Sequence, residues 1–255
     1  MKLFTLPNLL TLGNLFCGCL IVLCLASELG NNKHLIGTTD FTPFVFILLI
    51  LSLLFDLLDG MVARAMKINS EIGVQLDSLA DMVTFGLVPG LLLFKLLDNI
   101  FPIHNSGNLK VIIDIPWMPF IGFLITLFSA LRLAKFNVDT EQTTYFKGLA
   151  TPANTILIFS LFWIQNQNGF IISPELDLYF LIGTTILSCW LLIANLPLFS
   201  FKFNGFAWKD NHYKYVFLII CIILLILFQM NAVPFIILLY IIISIIFRKK
   251  IINVN

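Results

Sequence analysis

Apolar runs of bilayer length recur along this chain, separated by short polar interruptions. A helix needs about 20 mostly apolar residues to cross a hydrocarbon core. Runs of that kind lie near 8–28, 43–63, 74–97, 115–136, 151–168, 178–199, 213–230 and 232–248. The fifth is short and ends in the polar Gln165-Asn166-Gln167-Asn168. The last two are separated only by Gln229–Asn231 and Pro234, so they predict a tight hairpin. The pattern therefore predicts an all-α fold, a polytopic integral membrane bundle of about eight transmembrane helices, forming a single membrane domain over residues 1–255.

Composition excludes the soluble alternative. Of 255 residues, 59% are hydrophobic and only 11% are charged, and 26 are Phe, which is no soluble core. Charge sets the orientation. With both termini cytoplasmic, the cytoplasmic segments hold Lys2, Arg64, Lys67, Arg132, Lys135, Lys147, Lys202, Lys209, Lys214, Arg248, Lys249 and Lys250. Only Lys33, Lys95 and Lys110 fall on the other side, the asymmetry that the positive-inside rule expects. The first run is longer than a signal-peptide core, and Cys24-Leu25-Ala26-Ser27 is a poor cleavage site, so it reads as a retained helix. Cys17, Cys19, Cys24, Cys189 and Cys221 lie in apolar runs without metal or disulfide spacing and read as small buried hydrophobes. His34, His104 and His212 sit in loops, remote in sequence from the carboxylates described next, which argues against a phosphohistidine intermediate.

The most informative interruption lies at the second and third runs. Asp56, Asp59, Gly60, Ala63 and Arg64 are followed by Gly73, Asp77 and Asp81, in the pattern D-x2-D-G-x2-A-R-x8-G-x3-D-x3-D. A single carboxylate at the centre of a membrane helix costs roughly 2.5–3.5 kcal/mol even on the gentlest scale. Four of them must be paired, hydrated or bound to cations. At about 100° per residue, Asp56, Asp59, Gly60, Ala63 and Arg64 share an arc of roughly 140° on one helix, while Gly73, Asp77 and Asp81 stack at intervals of four on another. Two such faces can close on one another. An all-oxygen ligand set suits a hard divalent ion such as Mg²⁺, Mn²⁺ or Ca²⁺. Gly60, Ala63 and Gly73 leave room for a bulky ligand against the backbone. Arg64 is the fixed cation of the group and fits an anion, most naturally a phosphate.

This pattern resembles the signature of the CDP-alcohol phosphatidyltransferases, and every signature position is matched. The resemblance implies a six-helix core over about residues 6–202, to which a C-terminal helical hairpin at 213–248 would be an addition. It implies that Asp56, Asp59, Asp77 and Asp81 are metal ligands for two Mg²⁺ or Mn²⁺ ions and that Asp81 is also the general base. The small residues and nearby polar groups would receive the nucleotide of CDP-diacylglycerol: Asn8, Thr11, Gly60, Ala63, Arg64 and Gly73. Homodimers are usual in the family. The resemblance also implies a bacterial-type inner-membrane enzyme of phospholipid synthesis, with an active site facing the cytoplasm, membrane lipids as surroundings and no nucleic acid among its partners.

The signature defines the reaction, not the acceptor alcohol. Pro7-Asn8 with Thr11, Gly13 and Asn14 opens the first run, and Asn14 reads equally well as a nucleotide contact or as ordinary interfacial polarity. Arg132 and Lys135 close the fourth run, and Lys147 and Thr151 open the fifth. They read either as snorkelling anchors beside a Pro-started helix or as a basic pocket for a carboxylate. Together with Ala194-Asn195-Leu196-Pro197 and the segment Phe199–Lys202, they resemble the branch of the family that uses L-serine; Ala150 stands where that branch commonly has Pro. Three rivals remain: a sister transferase for glycerol 3-phosphate, inositol or an inositol phosphate; a cation-coupled transporter, which inverted repeats would support; and a structural membrane protein with a decayed site.

Overall fold

The computed structural model describes residues 4–29, 41–68, 70–100, 117–139, 145–173, 176–199 and 208–248. The orientation assignments at Lys2, Lys33, Lys110, Lys202, Lys249 and Lys250, and the loop positions of His34 and His104, lie outside those residues; His212, expected in a loop, falls instead within the helix Trp208–Phe228. A helix stands at each of the eight expected places. The chain divides into two compact units, Met1–Leu133 and Ala134–Asn255.

The first unit begins with α1 (Leu6–Leu29), which packs along α2 (Thr42–Ala65) and α3 (Glu71–Asp81). Helix α2 opens with Pro43 in its first turn, where a missing N–H costs nothing. It closes in a Schellman pattern: Ile68 N–H donates to Ala63 O at 3.0 Å, across Lys67 in the left-handed region at φ 53°. Ser70 caps α3, its hydroxyl accepting the N–H of Gly73 at 3.3 Å. A tight turn between Ala65 and Glu71 thus reverses the chain and brings the two signature helices together.

Helix α3 passes into a π-helical turn, Met82–Leu87, and then into α4 (Val88–Ile100), giving one continuous run from Glu71 to Ile100. The wide turn lies just before Pro89, whose ring would otherwise crowd a carbonyl one turn back. A 3₁₀ segment, Met118–Phe123, leads into α5 (Leu124–Val138). This segment lies close against α4: a Cβ on Gly122 would come 2.6 Å from the Phe94 backbone nitrogen, so glycine permits an approach that no other residue could.

In the second unit, α6 (Thr151–Asn168) begins at Pro152 and stops at Gly169, in the left-handed region at φ 80°. Helix α7 (Asp177–Ile193) is preceded by a turn whose N–H groups at Ile171, Ile172 and Ser173 donate to the Asp177 carboxylate at 2.7, 2.7 and 3.2 Å. The sixth run ends earlier than its hydropathy predicts. After Ile193 the chain becomes extended, and β2 (Pro197–Phe199) pairs antiparallel with β1 (Tyr145–Lys147), Phe146 opposite Leu198. The apolar pattern gives no sign of this ribbon, because Leu-Pro-Leu-Phe reads as a continuation of the helix.

Helices α8 (Trp208–Phe228) and α9 (Val233–Ile246) form the expected hairpin through a 3₁₀ turn, Gln229–Ala232. The rings of Tyr213 and Phe247, from its two open ends, stack at 5.2 Å. Phe199 inserts beside Tyr213, Phe217 and Tyr240, and the Tyr240 hydroxyl donates to Phe199 O at 2.8 Å. Among the described residues, five helical runs are long and apolar enough to cross a membrane: Leu6–Ser27, Thr42–Ala65, Glu71–Ile100, Met118–Val138 and Tyr213–Ile246. The last covers both hairpin spans, α7 is a shorter apolar helix, and α6 is more polar along its length. The protein is an integral membrane protein built as a helical bundle.

Candidate active site

The reversal between α2 and α3 turns the sequence spacing into geometry. Asp56, Asp59 and Asp77 each present a carboxylate oxygen, and the three oxygens lie within 4.8 Å of one another. Bare carboxylates at that separation repel one another. Asp59 is buried, and Thr11 Oγ1 donates to its Oδ2 at 2.6 Å. Asp77 Oδ1 is buried without a hydrogen-bond partner among the described residues. An all-oxygen trio with an orphaned buried oxygen fits a hard divalent cation, and no His or Cys dilutes the set.

Asp81 stands beside this trio rather than within it. Asn14 Nδ2 donates to Asp81 Oδ1 at 3.2 Å, and Asn14 is fully buried. The Asn14 carbonyl in turn accepts from Thr84 Oγ1, in the π-turn, at 3.3 Å. Helix α1 is close enough for this because residue 18 is glycine: a Cβ there would come 2.3 Å from Thr84 Oγ1. Sequence reasoning left Asn14 undecided. Its spacing from Asn8 and Thr11 along one helix face was the available signal.

A cavity of about 530 Å³ opens against the trio. Asp59, Asp77, Asn8, Thr11, Gly60, Ala63 and Gly73 line it, so five of the six predicted nucleotide contacts come together there. Pro7 from α1, Ile68 and Ser70 from the turn between α2 and α3, and Glu71 and Val74 from α3 complete the lining. Asn8 is buried, its Oδ1 3.2 Å from where a Cβ on Gly73 would lie. Arg64, the sixth contact, is exposed and outside the lining; its Nη1 lies 3.9 Å from where a Cβ on Gly60 would lie. Gly60 and Gly73 carry no side chain and Ala63 only a methyl, which leaves space beside the aspartate trio.

The four acceptor candidates divide between the units. Arg132 is buried in the first unit. Gly122 lies against Phe94, Thr126 Oγ1 donates to Gly86 O at 3.0 Å, and Ser129 lies against Gly86, so α5 runs antiparallel to the α4 run. Continued by one turn, that register carries Arg132 toward the level of Asp81 and Met82. Lys135, Lys147 and Thr151 belong to the second unit. Lys135 Nζ donates to Asn195 Oδ1 at 2.7 Å and to Ile193 O at 3.3 Å, at the C-terminal end of α7 where a cation is favoured. Lys147 pairs with Asp139 at 2.9 Å. Thr151 is buried in the first turn of α6.

The chain is 28% identical over 204 residues to the CDP-diacylglycerol–serine O-phosphatidyltransferase of Helicobacter pylori strain J99, covering 78% of this chain and 74% of that protein. It is 30% identical over 187 residues to the protein of that name from Methanocaldococcus jannaschii, covering 73% of each. Against the one from Bacillus subtilis it is 31% identical over 151 residues, covering 58% of this chain and 69% of that protein. The family model for CDP-alcohol phosphatidyltransferases matches residues 4–192, which include every signature aspartate, and the chain belongs to that family.

Proposed function

We propose that this protein transfers the phosphatidyl group of CDP-diacylglycerol to the hydroxyl of L-serine, releasing CMP. The observation that carries the reading is the convergence of Asp56, Asp59 and Asp77, two of which, Asp59 and Asp77, line the nucleotide-sized cavity. The choice of serine rests on the names of the relatives and on Arg132, a buried guanidinium suited to a carboxylate.

In this reading Asp56, Asp59 and Asp77 hold divalent metal, Mg²⁺ or Mn²⁺, with Asp81 at the edge of the set. Bound there, the metal supplies charge neutralisation for the diphosphate and the departing nucleotide. Gly60, Ala63 and Gly73 leave the space that the nucleotide enters, and Asn8 and Thr11 present polar groups to it. Arg64 screens phosphate charge at the mouth. The acyl chains stay in the bilayer. Asp81, oriented by Asn14, accepts the proton of the serine hydroxyl as its oxygen forms a bond to the β-phosphorus. The bond from that phosphorus to the oxygen bridging the two phosphates breaks, and CMP leaves with the electron pair. Direct displacement needs no protein nucleophile. The positive-inside count supports a site at the cytoplasmic side, where serine and nucleotides are supplied, and in this reading the active protein is a homodimer within the membrane.

The test follows CMP release from CDP-diacylglycerol by the purified protein in detergent, with L-serine, glycerol 3-phosphate and myo-inositol as separate acceptors and Mg²⁺ or Mn²⁺ present. Serine should support release, with phosphatidylserine as the lipid product. Release with glycerol 3-phosphate or inositol and none with serine would move the protein to a sister branch while leaving the aspartate chemistry intact.

A further inference from the structure

We propose that the side-chain oxygen of Asn14 receives the ammonium group of the amino-acid acceptor, making Asn14 a specificity-determining residue. The proposal rests on the reading of serine as acceptor and of Asp81 as the base.

The Asn14 carboxamide turns its Nδ2 toward Asp81 and donates to Oδ1 at 3.2 Å. The backbone of Asn14 is held as well, since its carbonyl accepts from Thr84 and Gly18 lets the helices approach. Oδ1 is left over: it is buried, and it has no hydrogen-bond partner among the described residues. A buried acceptor without a donor is costly and rare, and calls for an explanation. Here it sits beside the group that must meet the incoming alcohol.

The acceptor's own donors decide what fits. Serine brings a hydroxyl, an ammonium and a carboxylate. The hydroxyl proton goes to Asp81. The carboxylate has nothing to donate, and Arg132, carried by its helix register toward the same level, matches it in charge and geometry. The ammonium is the one donor left. It is carried on the carbon next to the hydroxyl-bearing carbon, so the two groups reach neighbouring acceptors, as Asp81 and Asn14 are. Glycerol 3-phosphate and inositol offer no cation for this position, so the arrangement selects an amino alcohol with a carboxylate.

The experiment compares kcat/KM for L-serine and for 3-hydroxypropanoate, which carries hydrogen in place of the ammonium, in the wild-type protein and in Asn14→Ala and Thr84→Val. The wild type should prefer serine by about a hundredfold, in line with what a buried polar group left unpaired costs. Asn14→Ala loses both ends of the amide: turnover falls for both acceptors, and the preference for serine shrinks by about tenfold or more. Thr84→Val loosens the backbone of Asn14 but keeps its side chain, so it should lower kcat for both acceptors alike and leave the ratio standing. An unchanged ratio in Asn14→Ala would make Asn14 a positioning residue for Asp81 and overturn the proposal. Should that variant be inactive, the wild type alone still decides: use of 3-hydroxypropanoate within about threefold of serine also overturns it. Wild-type protein that ignores serine but releases CMP with another alcohol would show instead that the acceptor assignment itself had failed.

Discussion

Two helix pairs in this chain, α2 with α3 and α8 with α9, are both apolar enough for a membrane and are built on opposite plans. The first pair carries four aspartates, two glycines and an alanine, brings three of the aspartates together and, with α1, lines a cavity. The second carries no Asp, Glu, Lys or Arg from 215 to 247. Its faces present Ile219, Ile222, Ile226, Leu238 and Ile242 outward, as a lipid contact would. The hairpin is held by large rings that fill space, whereas the aspartate pair omits side chains to leave space. Being apolar enough to cross a membrane does not separate the two, since both are. What separates them is where the few polar groups and small residues fall, because in hydrocarbon each polar group needs a partner and each absent side chain leaves room for a ligand.

The largest effect should come from breaking the polar trio. Asp56→Asn, Asp59→Asn and Asp77→Asn should each reduce CMP release by at least about a hundredfold, and excess EDTA should do the same until Mn²⁺ or Mg²⁺ is restored. Full turnover in EDTA would leave the trio without its assigned role. Asp81→Asn should lose turnover to a similar degree yet keep CDP-diacylglycerol binding, since the three clustered oxygens remain; a near-native rate would require a different base.

Filling the open space comes next. Gly60→Leu or Ala63→Leu should raise the KM for CDP-diacylglycerol by about tenfold or more, because an overfilled cavity costs roughly 1–3 kcal/mol. Detergent-solubilised folding should be kept, since both positions face the cavity rather than the interior. Unchanged KM in both variants would place the nucleotide elsewhere. Arg132→Lys preserves charge but not the paired hydrogen bonds of a guanidinium, and should raise the serine KM by about tenfold with little effect on the lipid substrate. The reverse pattern would assign Arg132 to phosphate.

The smallest effect belongs to the hairpin. Tyr240→Phe removes one hydrogen bond, to Phe199 O, and keeps the ring. Thermal unfolding should show a loss of about 1 kcal/mol, with kcat and both KM values unmoved. A tenfold fall in kcat with stability preserved would end the contrast between a chemical pair and a packing pair.

Much of this was legible along the chain, and the rest was not, for identifiable reasons. The helices show because hydrocarbon forces every backbone group to be satisfied locally, so a run of apolar residues has one reading. The aspartate site shows because helical spacing turns sequence separation into angle, so Asp56 and Asp59 share one face and Gly73, Asp77 and Asp81 share another before any coordinates exist. Long-range pairing has no such rule. The ribbon of Tyr145–Lys147 with Pro197–Phe199 joins segments that only the fold brings together, and the sixth helix ends where that pairing begins. Lys135 and Lys147, read as substrate groups from their charge, find Asn195 and Asp139 as partners once the chain is folded. The sequence alone determined that carboxylates, small residues and nucleotide-sized space would meet at α2 and α3, because those positions are set by local helix geometry. Only the tertiary structure decided that Asp81 stands beside the trio under Asn14, with Thr84 and Gly18 holding that contact, because a side chain's partner depends on which helices approach and how closely.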